Sequence, residues 1–137
     1  MKQKIFYDNN LYHTSLHLVY DCEPAAAMGV LTGKYKMDMK DEDSNHLGFF
    51  CMVENENYPY GMRGLLYSKQ FKWTIQDQTT MIHELQHFVW RVLRTRGINL
   101  TPETEEAYTY YFDYWMEKIW EALKPLNPAS KRKKKRS

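Results

Sequence analysis

Cysteine is scarce. Two in 137 residues, Cys22 and Cys51, cannot make the disulfide framework of a small secreted scaffold. Neither belongs to a CxxC or CxxH pattern. Each sits among apolar neighbours, LVYDC and FFCMV, so both are expected as reduced core thiols. No apolar run approaches the ~18 residues that a membrane span needs, which argues against a membrane partner. The start, MKQKIFYDNN, lacks an apolar stretch and a small-residue cleavage site, so no secretory signal is expected and the cytoplasm is the default compartment. No internal repeat is visible. At this length one domain is expected, over residues 1–128, followed by a tail from 129 to 137.

What is present is aromatic. Tyr, Phe and Trp number 11, 6 and 4, within 43% hydrophobic residues, which is enough bulky surface for a core and excludes wholesale disorder. The charge is uneven. The formal +2 sums 19 basic and 17 acidic side chains, but six of the basic ones are Lys131, Arg132, Lys133, Lys134, Lys135 and Arg136. Without those six the remainder holds 13 basic residues against 17 acidic ones, a net charge of −4. An acidic body therefore carries a basic end.

Hydrophobic periodicity places the elements. Leu16, Leu18 and Tyr20 alternate with His17, Val19 and Asp21, the period of a half-buried strand over 16–22. Pro24 opens a small-residue segment that fits a helix to about residue 32. The acidic stretch from Lys36 to His46 reads as a loop. HLGFFCMVE and MRGLLYSKQFKW flank Pro59 and Gly61, the pattern of a hairpin. From Thr74 to Arg96 neither Pro nor Gly interrupts the chain, and Ile82, Leu85, Val89, Val92 and Leu93 recur at helical spacing. Gly97 ends that helix. Thr101 and Pro102 should cap and start another, running to Leu123 with Tyr108, Phe112, Trp115, Ile119 and Leu123 on its apolar stripe. Pro125 and Pro128 should stop it, leaving a disordered basic tail. The fold class is thus α+β.

Inside the uninterrupted helix lies His83-Glu84-Leu85-Gln86-His87. Four residues turn a helix by about 400°, so both imidazoles leave from one face and can grip one metal ion. Glu84 comes from the same turn, where a carboxylate can take a proton from metal-bound water. With this composition, chance would produce such a motif roughly 0.01 times. His83, His87, Trp90 and Arg94 lie opposite the apolar stripe, so they line either a cleft or the solvent. A third ligand is required. Glu103, Glu105 and Glu106 open the next helix, and the short linker is long enough for an acid there to approach His87. His13 and His17 are also four apart, but His17 falls in a strand, so no second metal site is expected.

HELQH followed 19 residues later by Glu106, within Glu105-Glu106-Ala107, resembles the gluzincin branch of the zincin metallopeptidases. More loosely, the chain is similar to small bacterial and phage-encoded zincin-like proteins. The resemblance spans about residues 79–123 and implies a minimal zincin-like fold, with a small sheet packed against the HExxH helix and a Glu-bearing helix after it. It implies Zn2+ held by His83, His87 and Glu106, with Glu84 as general base acting on a peptide or protein substrate. Glu105 is the alternative to Glu106. The larger relatives often carry an Asp four residues beyond the ligand Glu, where this chain has Tyr110, so Tyr110 or Asp113 would have to orient the imidazole. Tyr108, Tyr110 and His46 are candidate hydrogen-bond donors to substrate. If the chain is phage-encoded, the host cytoplasm or the virion becomes its compartment.

The run from Tyr108 to Trp120 has helical periodicity and is expected to pack in the core. Nothing could bury residues 131–136, which should attract nucleic acid or an acidic partner. Two functions follow from these features. One is a zinc-dependent metallopeptidase-like hydrolase. The other is a catalytically inactive zincin-fold accessory protein that binds nucleic acid through its basic tail.

Overall fold

The computed structural model describes residues 1–32, 47–54 and 62–136. Strands β1 (Lys2–Asp8), β2 (Thr14–Tyr20), β3 (Gly48–Glu54) and β4 (Met62–Ser68) form one sheet in the order β1-β2-β4-β3. β1 and β3 run antiparallel to their neighbours, while the central pair β2 and β4 is parallel. Helix α1 (Pro24–Thr32) follows β2. Helices α2 (Ile75–Thr95) and α3 (Glu105–Leu123) complete the body, and a 3-10 turn (Lys124–Leu126) leads into α4 (Pro128–Arg136). The class is α+β, as the element pattern predicts.

The expected strand over 16–22 lies two residues earlier, and it is buried on both sides up to a half-buried Tyr20. The reason is its place in the sheet. Leu16 and Leu18, with Met62 and Leu66 of β4, face the main core under α2 and α3. Val19, with Leu65 and Tyr67, faces α1 through Ala27 and Met28. A parallel central pair covered by helices on both faces has no solvent-facing side, so its polar residues Thr14, Ser15, His17 and Ser68 are buried too. β1, which the sequence did not announce, is an edge strand whose residues are mostly exposed. The hairpin forms as expected, with Gly48 opposite Ser68 and Glu54 opposite Met62. The acidic loop through residue 46 and the turn around Pro59 lie outside the described residues.

Thr74 caps α2 as half of a reciprocal box: its Oγ1 accepts from Asp77 N at 3.1 Å, and the Asp77 carboxylate accepts from Thr74 N at 3.3 Å and from Lys72 N at 2.7 Å. Met81, Leu85, Phe88, Val89, Val92 and Leu93 are its buried residues, so Met81 and Phe88 join the predicted stripe and Ile82 sits at its margin. On α3 the buried set is Tyr108, Tyr111, Trp115, Ile119 and Leu123, with Tyr111 in the core and Phe112 half-buried. The aromatic run is therefore largely core packing, with Tyr110 exposed and Phe112, Tyr114 and Trp120 half-buried.

Two expectations about termini change. The helix forecast from Pro102 begins at Glu105, because residues 101–104 close into a turn in which the Thr104 hydroxyl accepts from Thr101 N at 2.9 Å and donates to Asn99 O. Thr104 takes the N-cap position in place of Thr101, but its hydroxyl is engaged in this turn and makes no capping bond to α3. The tail expected to be disordered from 129 forms helix α4. Asn127 Oδ1 accepts from Ala129 N at 3.0 Å and Pro128 occupies the first helical position, so the proline that should stop a helix starts one.

A buried carboxylate ties the layers together. Asp8 is 0% exposed and accepts hydrogen bonds from the backbone N–H groups of Asn10, Leu11 and Tyr12 at 2.8–3.1 Å, and from the Tyr111 hydroxyl of α3 at 2.9 Å. Tyr111 also shares a 2.9 Å hydrogen bond with Thr14 Oγ1. α3 is thus pinned over the β1–β2 turn, whereas α2 lies over β3 and β4.

Candidate metal centre

His83 and His87 leave the solvent face of α2, with Trp90 and Arg94 beyond them, as the wheel predicts. Their Nε2 atoms stand 3.1 Å apart, and the rings meet edge to face with centroids at 4.8 Å. Tetrahedral zinc with Zn–N bonds of ~2.0–2.1 Å holds two ligand nitrogens about 3.3 Å apart. The pair therefore has nearly the bite such an ion needs. Without an ion, the same separation suits a hydrogen bond from one ring to the other, for which one Nε2 must carry the proton.

Glu84 is half-buried on the flank of α2 that faces β3. A Cβ placed on Gly48 would lie 3.9 Å from Glu84 Cγ and only 2.6 Å from Thr80 Cγ2, so the start of the edge strand passes close over this side of the helix. Gly48 permits that approach. Glu84 thus leaves the helix on the flank beside the edge strand, one residue along from His83.

Glu106 is not brought to this pair. Among the described residues, no group of three or more His, Cys, Asp and Glu is arranged so that it could hold a metal ion. The cause is register. α3 begins only at Glu105, so Glu106 belongs to its first turn, beside the last turns of α2, while His83 and His87 lie two to three turns before the end of α2. Glu106 is also exposed, about 160° around α3 from Tyr108, on the side away from the core. Glu105 is exposed as well. In the groove between the helices, Gln86, Val89 and Trp90 meet Tyr108, Thr109, Phe112 and Asp113. Asp113, not Glu106, is therefore the α3 carboxylate that borders the HExxH stretch. Sequence spacing alone gave no sign of this, because it depends on where the linker ends.

Of the candidate donors, Tyr108 is committed elsewhere: it is buried and its hydroxyl donates to Ile98 O at 2.6 Å. Tyr110 is 69% exposed, and His46 lies outside the described residues. His13 sits in a turn with φ of 52°, and His17 is buried in β2, so the second HxxxH is divided between two environments. Both cysteines are free and half-buried. Burial pushes the Cys51 thiol up to about 12 and raises that of Cys22, which leaves neither as a ready thiolate ligand.

Fold and site together define an α+β protein with an HExxH helix whose two imidazoles converge at the surface. No protein-family model, curated protein or solved structure matches the chain. Among the described residues, no helix is long and apolar enough to cross a membrane.

Proposed function

We propose that this chain is a zinc-dependent hydrolase of the metallopeptidase type, acting on a peptide or protein substrate. The 3.1 Å convergence of His83 and His87 Nε2 carries the reading. Bound there, zinc would polarise a substrate carbonyl and acidify a water molecule. The residues do the rest. His83 and His87 present their Nε2 lone pairs to the ion, which requires each ring to keep its proton on Nδ1. Glu84, one residue along and turned toward β3, takes the water proton and returns it to the leaving amine. Glu106 belongs to the proposal as third ligand, and it requires the first turn of α3 to shift toward the pair when metal binds. Asp113 is the rival that needs the smaller movement.

Metal analysis of the purified protein tests this. One zinc per chain is expected in the wild type, with loss in His83→Ala and in His87→Ala. Glu84→Gln should keep the metal and lose hydrolysis. Loss of zinc in Glu106→Gln but not in Asp113→Asn assigns the third ligand to Glu106, and the reverse assigns it to Asp113. Zinc at background in the wild type removes the reading.

Helix α4 favours a second function, since it exposes Lys131 and Arg132 at the start of a run of six basic residues. This is an accessory protein without turnover that binds nucleic acid through residues 131–136. It predicts binding that disappears when those residues are deleted, and a biological activity indifferent to Glu84→Gln.

A further inference from the structure

Away from the histidine pair, at the end of the body where α2 starts and α3 finishes, Trp73, Glu117, Trp120, Glu121 and Lys124 line an open groove of about 430 Å³. It shares no residue with the HExxH stretch. Trp73 and Trp120 stand with ring centroids 6.3 Å apart and planes inclined at 55°, so the two indoles form an open V. There is no room for a cation between the ring centres, but one at the open mouth of the pair can lie within the ~6 Å over which an aromatic face attracts positive charge.

Trp73 is held in place against its own preference. Its φ is 66°, a left-handed conformation that a bulky side chain adopts only when its surroundings impose it. Those surroundings are visible. Asp77 accepts from the N–H groups on both sides of Trp73, those of Lys72 and Thr74, and Gln78 Nε2 donates to Trp73 O at 3.1 Å. Phe71 meets the indole edge-on at 5.9 Å. The same capping box that starts α2 thus fixes one wall of the groove.

The carboxylates complete it. Glu117 and Glu121 are one helical turn apart on α3, and both are exposed. Glu121 pairs with Lys124 at 3.6 Å, a solvated contact that an incoming cation can replace, while Glu117 forms no ion pair among the described residues. Two acids and one base leave the lining one negative charge, enough to match a single organic cation. We propose that this groove is a binding site for an organic monocation, the ammonium or methylated ammonium of a lysine side chain, taken up by cation–π contact with Trp73 and Trp120 and by charge contact with Glu117 and Glu121.

The test titrates the full chain with three probes: a short peptide carrying trimethyllysine, free choline, and the same peptide with an uncharged tert-butyl isostere in place of the trimethylammonium. Tryptophan fluorescence and heat are followed. The expected result is saturable binding of the cationic peptide, about tenfold tighter than its uncharged isostere. Peptide binding well above that of choline shows that the peptide around the lysine is also held, whereas equal binding confines recognition to the cationic head group; both support the site. Glu117→Gln with Glu121→Gln should weaken binding about fivefold, and because both positions are exposed this variant should fold even if Trp120→Leu does not. Equal affinity for the charged and uncharged probes, indifference to the double Gln variant, or no saturable signal overturns the proposal.

Discussion

Burial in the sheet keeps His17 uncharged. It is 5% exposed, its Nδ1 finds no hydrogen-bond partner among the described residues, and desolvation followed by the positive charge of Arg63 lowers its pKa from 6.5 to about 4. Between those two values the unfolded chain binds the proton and the folded chain does not. Stability from this residue is therefore complete above pH 6.5 and falls as the pH drops to 4, by up to about 3 kcal/mol. Denaturation midpoints across that range should show the slope in the wild type, and a His17→Gln variant should show a smaller one. If the two profiles are parallel, His17 does not carry the effect. Tyr111 gives a second test. Its hydroxyl touches both Asp8 and Thr14 inside the core, and burial raises its pKa. Tyr111→Phe leaves Asp8 with its three backbone donors and should cost about 1–3 kcal/mol in chemical denaturation. Residues of this kind were invisible beforehand. A motif announces itself by spacing, as HELQH does, but a single Asp before a pair of Asn looks like any turn until Tyr111 arrives from 103 residues away.

Among the elements, legibility followed local signal. α2 could be bounded to within a residue because no Pro or Gly interrupts it, its apolar period is local, and Gly97, with φ of 81°, follows shortly after its end. β1 could not, since an edge strand open to solvent can carry Lys2 and Lys4 without any alternation. The parallel pairing of β2 with β4 was also hidden, because it joins segments separated by a crossover. It is this pairing that lets α2 sit tightly on the sheet. Gly64 of β4 lies under Phe88, and a Cβ there would come within 2.6 Å of two ring carbons and 3.2 Å of Leu16 Cδ1. Phe88 is fully buried and has little room to retreat. Gly64→Ala should therefore lower stability by about 1–3 kcal/mol, read as a shifted denaturation midpoint, by lifting α2 from the sheet. A neutral outcome would mean that the helix rides higher than its glycine contact requires. The missing link between HELQH and Glu106 belongs to the same lesson. Helix faces were readable, but the relative height of two helices is set by a linker whose turn was not.

The formal charge of +2 conceals two parts that can be separated physically. The body, at −4, folds around its own core, and α4 meets it mainly through the preceding 3-10 turn, where Ser130 Oγ donates to Lys124 O at 3.2 Å. Deleting residues 131–137 removes six positive charges without touching a core residue. The thermal unfolding of the body should accordingly stay unchanged. Binding to duplex DNA should not. Each basic residue that neutralises a phosphate contributes about 0.9 to the slope of log affinity against log salt, so a tail with all six engaged contributes about 5. The full chain should bind at low salt with a steep dependence, and the deleted form, whose remaining charge is negative, should lose both affinity and slope. Charge alone predicts that the loss is the same for any DNA sequence, since phosphate contacts carry no base identity. A deletion that leaves the salt slope intact would place nucleic-acid contact on the body instead. A deletion that lowers the unfolding temperature would show that α4 is a structural part of the fold.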